Sequence, residues 1–314
     1  MKRQRKRWAL MMGLVIMVLL CLYLLFFPQK ASKAVTSGLS LCFSTVIPAV
    51  FPYLVLSGVF VSLGYAERLG RRMAFVTEHL FALPGCCATV ILLGIFCGFP
   101  VGGRMAAMLL ARGSITKSQA ARLVAFCDFC GPSYIIAVLG GGALGSVRAG
   151  VVIFLVQTLL ALLAGMVLAI GKQETRRNTP ITLPRPDVRA VGEAFTKAVS
   201  STLDICGYVT FFSVFMSALS SLLVSLPPVL HALVYGFFEL SGGIVRVGDT
   251  PMPLVYGTAM VLWSGVSVCM QIAAAVSLDE ANRIPMGLYF LVRSVLIPLG
   301  CLLVYLLSLL FDFM

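Results

Sequence analysis

The sequence predicts an all-α polytopic membrane protein. It has two inverted repeats, each with a long helix, a re-entrant helical hairpin, a discontinuous helix and a further helix, preceded by an N-terminal signal-anchor helix. Three observations predict this. Of 314 residues, 60% are hydrophobic and 11% charged, and mean hydropathy is +1.01; a soluble domain is about 45–50% apolar with about 25% charge. The apolar runs are separated by short basic loops. Two of those runs, 94–104 (GIFCGFPVGGR) and 236–246 (GFFELSGGIVR), carry more glycine and polar character than a spanning helix needs. Backbone so broken survives at membrane depth only where it is buried in protein or lines a cavity. Its recurrence in two chain halves points to a transporter's binding site.

The formal charge of +12 does not argue for nucleic acid, because the basic residues flank apolar spans, where they orient the chain in a bilayer. Ten cysteines, among them Cys21, Cys42, Cys86, Cys87, Cys97, Cys206 and Cys301, lie mostly within apolar spans. They read as small packing residues rather than a disulfide framework. With only His79 and His231, and no Walker or HExxH motif, no metal site, cofactor or enzymatic activity is expected.

Taken in order, residues 2–7 (KRQRKR) form a cationic tail before the apolar run Trp8–Phe27. About 20 residues match a membrane crossing, whereas the apolar region of a cleaved signal is about 7–15; this is a retained signal anchor with a cytoplasmic N-terminus. A second span covers 35–63, where Pro48 and Pro52 should kink or break the helix. The loop 67–72 (ERLGRR) returns basic charge to the inside. The segment 80–110 is interrupted at Pro84-Gly85, Gly94, Gly98, Pro100, Gly102 and Gly103 and has basic flanks at both ends, so it reads as a re-entrant hairpin. Thr116 is a plausible N-cap for the next helix, which should unwind at Gly131-Pro132 and resume to Leu139. A clean span, 150–170, precedes a polar, proline-bearing cytoplasmic linker, 171–193. The second half repeats the plan with a long span at 195–224, a broken segment at 229–248, an interrupted helix at 254–276 and a final span at 286–310. This arrangement puts most of the 24 Lys and Arg residues inside and the C-terminus outside.

The halves also resemble each other directly. Residues 34–42 (AVTSGLSLC) align with 198–206 (AVSSTLDIC), and the charge bias runs the two copies in opposite directions. Inverted repeats of this kind are the architecture of many secondary transporters.

Five stretches carry a resemblance to a known family: 51–57 (FPYLVLS), 98–103 (GFPVGG), Gly131-Pro132, 236–241 (GFFELS) and 263–271 (WSGVSVCMQ). They resemble the nucleoside-recognition or Gate-domain membrane proteins, in particular their YlbJ-like sporulation integral membrane branch. The resemblance covers about residues 35–310. With the tail and anchor at 1–33 and the linker at 171–193, it implies a first Gate-like repeat at 34–170 and a second, inverted Gate-like repeat at 194–314. Two hairpins and two unwound helices should then meet near the membrane centre. The chain departs from the pattern before Gly131-Pro132, where Asp128, Phe129 and Cys130 stand in place of polar amides.

Glu239 leads the candidates, because an ionisable side chain at membrane depth is costly. It would bind a hydroxyl or cation, or take up a proton; alternatively it pairs with Arg246 or Arg293, or caps a half-helix. Asp128 is its counterpart in the first half, with Arg104 as a candidate partner. Arg104 and Arg246 close the two broken motifs and could clamp a carboxylate or phosphate, or snorkel or pair with an acid. Gly98, Pro100, Gly102 and Gly103 form the first break; Ser241 and Gly242 follow Glu239 in the second. Gly131, Pro132 and Ser133, and Ser264, Gly265, Ser267 and Gln271, offer backbone, hydroxyl and amide groups at the interrupted helices, suited to small polar solutes or ions. Cys127 and Cys130 make a C-x-x-C without the further ligands of a zinc site.

The expected function is a secondary transporter or permease for a small polar solute, nucleoside-like or an ion, bound between two broken-helix hairpins. The alternative is a non-transporting sporulation envelope scaffold or partner-binding protein. The expected surroundings are a bacterial cell membrane, the lipid bilayer, and further copies of this chain or other sporulation envelope proteins.

Overall fold

The computed structural model describes residues 2–172, 188–277 and 283–311. Most of the linker and the C-terminal Met314 lie outside the described residues, which are helical and contain no strand. Helix α1 spans Lys2–Phe26 and carries the apolar run. Helices α2 (Pro28–Leu41) and α3 (Ile47–Ser62) are joined by a π-helical turn, Cys42–Val46. The expected break at Pro48 and Pro52 does not occur. The wider π turn lies directly ahead of Pro48 and accommodates a ring and a missing donor that would disrupt an α-helical ladder, so helix runs on from Pro28 to Ser62.

Helix α4 (Tyr65–Arg72) and α5 (Ala74–Phe81) occupy the expected basic loop and the start of the first broken segment. The first hairpin therefore begins later than expected, as α6 (Cys87–Cys97) and α7 (Val101–Ala111). Each arm has 11 residues, about 16 Å at 1.5 Å per residue, against a hydrocarbon core of about 30 Å. Helix α8 (Lys117–Cys127) starts on a capping box in which Thr116 and Gln119 exchange side-chain-to-backbone hydrogen bonds. It stops at Asp128, and the chain resumes as a π-helical segment, Tyr134–Ala143, rather than as the α-helix to Leu139 expected from sequence. Helix α9 follows at Val147–Val167.

The same order then recurs. Helix α10 (Val188–Leu223) is long; α11 (Pro228–Phe238) and α12 (Leu240–Val247) form a second two-part hairpin; α13 (Pro253–Trp263) and α14 (Gly265–Ala275) form an interrupted helix; α15 (Gly287–Leu310) closes the chain. Among the described residues, five stretches are long and apolar enough to cross a membrane: Pro28–Ser62, Val147–Val167, Val191–Ser220, Pro253–Ala275 and Gly287–Leu310. The chain is a multi-pass membrane protein.

The two long helices pack antiparallel. Gly38 lies against Thr210 and Ser213, the Cys42 thiol points at the Cys206 carbonyl at 3.8 Å, and Gly58 lies against Ala194. Small residues suit such a seam, because helices in lipid associate through close packing rather than hydrophobic exclusion. At its middle, Cys42, Val46, Ile205, Cys206 and Val209 form a buried apolar block with Leu54, Val101 and Ala198.

Candidate functional site

The four breaks form two contacting pairs. In the first half, the α6–α7 turn meets the interruption after α8. Gly98 has φ +71°, and a side chain there would reach to 2.5 Å from the Gly131 nitrogen; glycine is required both by conformation and by the approach of the other backbone. The Phe99 amide donates to the Phe129 carbonyl at 2.9 Å. Asp128 is fully buried, and its carboxylate lies over Gly102 and Gly103, where added Cβ atoms would stand 3.2 and 2.7 Å from its oxygens.

In the second half, the single residue between α11 and α12 is Glu239. Its backbone is extended, so its carboxylate folds back and accepts the Ser241 amide at 3.0 Å and the Gly242 amide at 2.5 Å. This is an N-cap on α12, favoured by both hydrogen bonding and the helix dipole. Gly265, with φ +84°, lies against the Leu240 nitrogen and the Gly236 carbonyl, and Trp263 donates its indole N–H to the Phe237 carbonyl at 2.9 Å.

Arg293 of α15 joins the two interrupted helices. It is completely buried and donates to the Asp128 carbonyl at 2.5 Å, to Ser264 Oγ at 2.7 Å and to the Leu262 carbonyl. Its guanidinium lies 4.0 Å from the centre of the Phe129 ring and 4.7 Å from that of Tyr289. Sequence reasoning placed Arg293 only as a partner for Glu239. The stronger clue was its position in the middle of an apolar span, where an arginine must find acceptors.

The expected ion pairs are corrected by the geometry. Among the described residues, neither Arg246 nor Arg293 bridges Glu239, and Arg104 does not bridge Asp128. Arg246 donates to the Gly242 carbonyl at 2.7 Å, one turn back, and stacks 3.8 Å from the centre of the Tyr235 ring. Arg104 donates to Ser201 Oγ of α10 at 2.5 Å. Gln271 donates to Ser267 Oγ at 3.4 Å within α14, while its buried amide oxygen has no hydrogen-bond partner. Pro132 and Ser133 immediately precede the π-helical segment and are half-buried. The Cys130 carbonyl accepts from Gln157 at 2.8 Å.

Two cavities flank the seam between α2–α3 and α10. The first, of about 300 Å³, is lined by the end of α3, the start of α10 and α7, and holds Arg104, Arg112, Lys197 and Glu193 with Pro100 and Ser201. The second, of about 440 Å³, is lined by the start of α2, the end of α10 and α12, and holds Lys30, Lys33, Arg246 and Glu239 with Tyr235 and Ser213. They lie at opposite ends of the antiparallel pair with the apolar block between them. Each combines an arginine from the second arm of a hairpin with two further cations and one acid. Of these, Ser201, Lys197, Lys30, Lys33 and Tyr235 escaped sequence reasoning, because only the packing of α2 and α10 against the hairpins brings them in.

Comparison with known proteins finds 25% identity over 309 residues to the sporulation integral membrane protein YlbJ of Bacillus subtilis (strain 168), covering 85% of this chain and 76% of that protein. The similarity supports the YlbJ-like sporulation membrane branch indicated by the sequence motifs. No family model matches the chain, and no solved structure does.

Proposed function

We propose that this chain, similar as it is to a sporulation integral membrane protein, is a secondary transporter for small organic anions. The observation that carries the proposal is the matched pair of arginine cavities at opposite ends of the α2–α3/α10 seam. Their volumes fall within or near the range of small-ligand sites, about 300–1,000 Å³. The surplus of cations in each favours a carboxylate or phosphate over a neutral nucleoside, and the planar guanidinium binds either anion with two parallel hydrogen bonds. We read the recurrent order of elements as inverted repeats, so that one cavity faces each side in turn and the apolar block around Cys42 and Cys206 separates them. We take the bias of the basic loops as favouring a cytoplasmic position for the Arg104 cavity. Such a protein would supply or remove an anion during spore formation.

The test is a thermal-stability screen of the purified protein against small carboxylates, phosphate esters and nucleosides, with Arg104→Gln and Arg246→Gln alongside. A ligand at a hundredfold excess over its Kd stabilises the folded state by about 2.7 kcal/mol. Anion-specific stabilisation that the variants lose is the expected result. A nucleoside response would replace the substrate class, and no response from a well-folded protein would favour the non-transporting scaffold.

A further inference from the structure

The anion cavities leave one buried acid without a use. Asp128 has no exposed surface, and neither of its carboxylate oxygens makes a well-formed hydrogen bond, although the Gly102 and Gly103 amides lie close to them. The other buried acid, Glu239, differs in this respect, since both of its oxygens accept backbone amides. A carboxylate removed from water and left unpaired costs several kcal/mol, which protonation removes. The titratable and charged groups facing Asp128 are Arg293 and Tyr289 of α15, Cys269 of α14 and the adjoining Cys127. The Arg293 hydrogen bonds go to carbonyls, including that of Asp128 itself, and to Ser264, not to the carboxylate.

We infer that Asp128 is a proton-binding site whose occupancy is read by helix α7. The carboxylate lies over the Gly102 and Gly103 amides that open this 11-residue helix. The next residue, Arg104, faces the first cavity and holds Ser201. A charged Asp128 attracts the positive end of α7; a neutral one releases it, and Arg104 moves with the same turn. Glycine at 102 and 103 is what lets the carboxylate come this close, since a Cβ at 103 would stand 2.7 Å from one oxygen. Proton and anion binding are then coupled, and by linkage each must change the affinity for the other by the same factor. The coupling rests on the anion-transport reading; the proton site does not.

The experiment is pH-difference infrared spectroscopy of the full chain in lipid nanodiscs, with no solute added. The expected result is a protonated-carboxyl stretch that titrates, persists in Glu239→Gln and is lost in Asp128→Asn. Absence of a titrating band, or its survival in Asp128→Asn, overturns the inference. If Asp128→Asn does not fold, Gly103→Ala serves, because its methyl forces the carboxylate off the amides and should move the midpoint to higher pH; an unmoved midpoint counts against the site. Failure of the anion reading shows elsewhere, as an absent thermal response with the titration intact.

Discussion

Arg293 performs a task at the residue scale that depends on its fork of donors. It reaches two carbonyls and a hydroxyl on two interrupted helices that have no ladder partners of their own at the breaks. Replacing it with Met would leave the Asp128 and Leu262 carbonyls buried without donors, each at a cost of about 1–3 kcal/mol. Arg293→Met should therefore lower stability by at least about 2 kcal/mol in a detergent melt; a change under about 0.5 kcal/mol would show that the staple is idle. Glu239 tests a different balance. Its carboxylate caps α12 while also lining the second cavity. Glu239→Gln keeps one acceptor but loses the charge at the helix N-terminus, which is worth about 0.3–1 kcal/mol. The fold should survive, and removing the acid from a cavity that holds Lys30, Lys33 and Arg246 should strengthen anion binding, read as a lower half-saturating anion concentration for counterflow in proteoliposomes. Counterflow that is lost instead would show that the carboxylate itself serves transport.

The hairpins owe their closeness, at the element scale, to glycines placed where two backbones meet. A Cβ on Gly243 would collide with the Gly236 backbone, and one on Gly94 with the Cys127 carbonyl. Neither obstacle is a side-chain end that can swing aside. Gly243→Ala should pry α12 from α11 and lower stability by about 1–3 kcal/mol, the usual range for overpacking, read as an earlier melt with increased proteolysis near 239. This level of the structure was the most legible in the sequence. Gly98, Pro100, Gly131-Pro132, Glu239 and Ser264-Gly265 mark the four breaks, because each removes a donor, a Cβ or a helical dihedral locally. The two π-helical segments were not legible, since whether Pro48 breaks a helix or widens its turn depends on what packs around it. The pairing of Arg104 with Ser201, and of Arg293 with both breaks, was hidden for a related reason. Those partners lie far apart in the chain, 97 residues in the first case, and composition says nothing about which span neighbours which.

The antiparallel seam at the scale of the whole molecule makes the two cavities a pair, and the pair separates a carrier from a scaffold. Ser62 lies at the end of α3 in the first cavity, and Ser220 near the end of α10 in the second. Both are half-buried and line open cavity volume, so a larger side chain can fill the cavity without displacing the core. An anion that must leave through one cavity after entering through the other is stopped by blocking either. Ser62→Trp and Ser220→Trp should therefore each reduce anion counterflow at least tenfold with the melt unchanged, and the double variant should be no worse than the more severe single. A scaffold would tolerate both. If only one variant blocks, the other cavity lies off the route, and the path must instead leave the seam beside Arg104 or Arg246. Salt supplies an independent check at the same scale, because the surplus cations at each mouth attract anions over about 8–10 Å at physiological ionic strength. Raising an inert salt should weaken anion uptake in the native protein, and the slope should flatten in Arg104→Gln and Arg246→Gln.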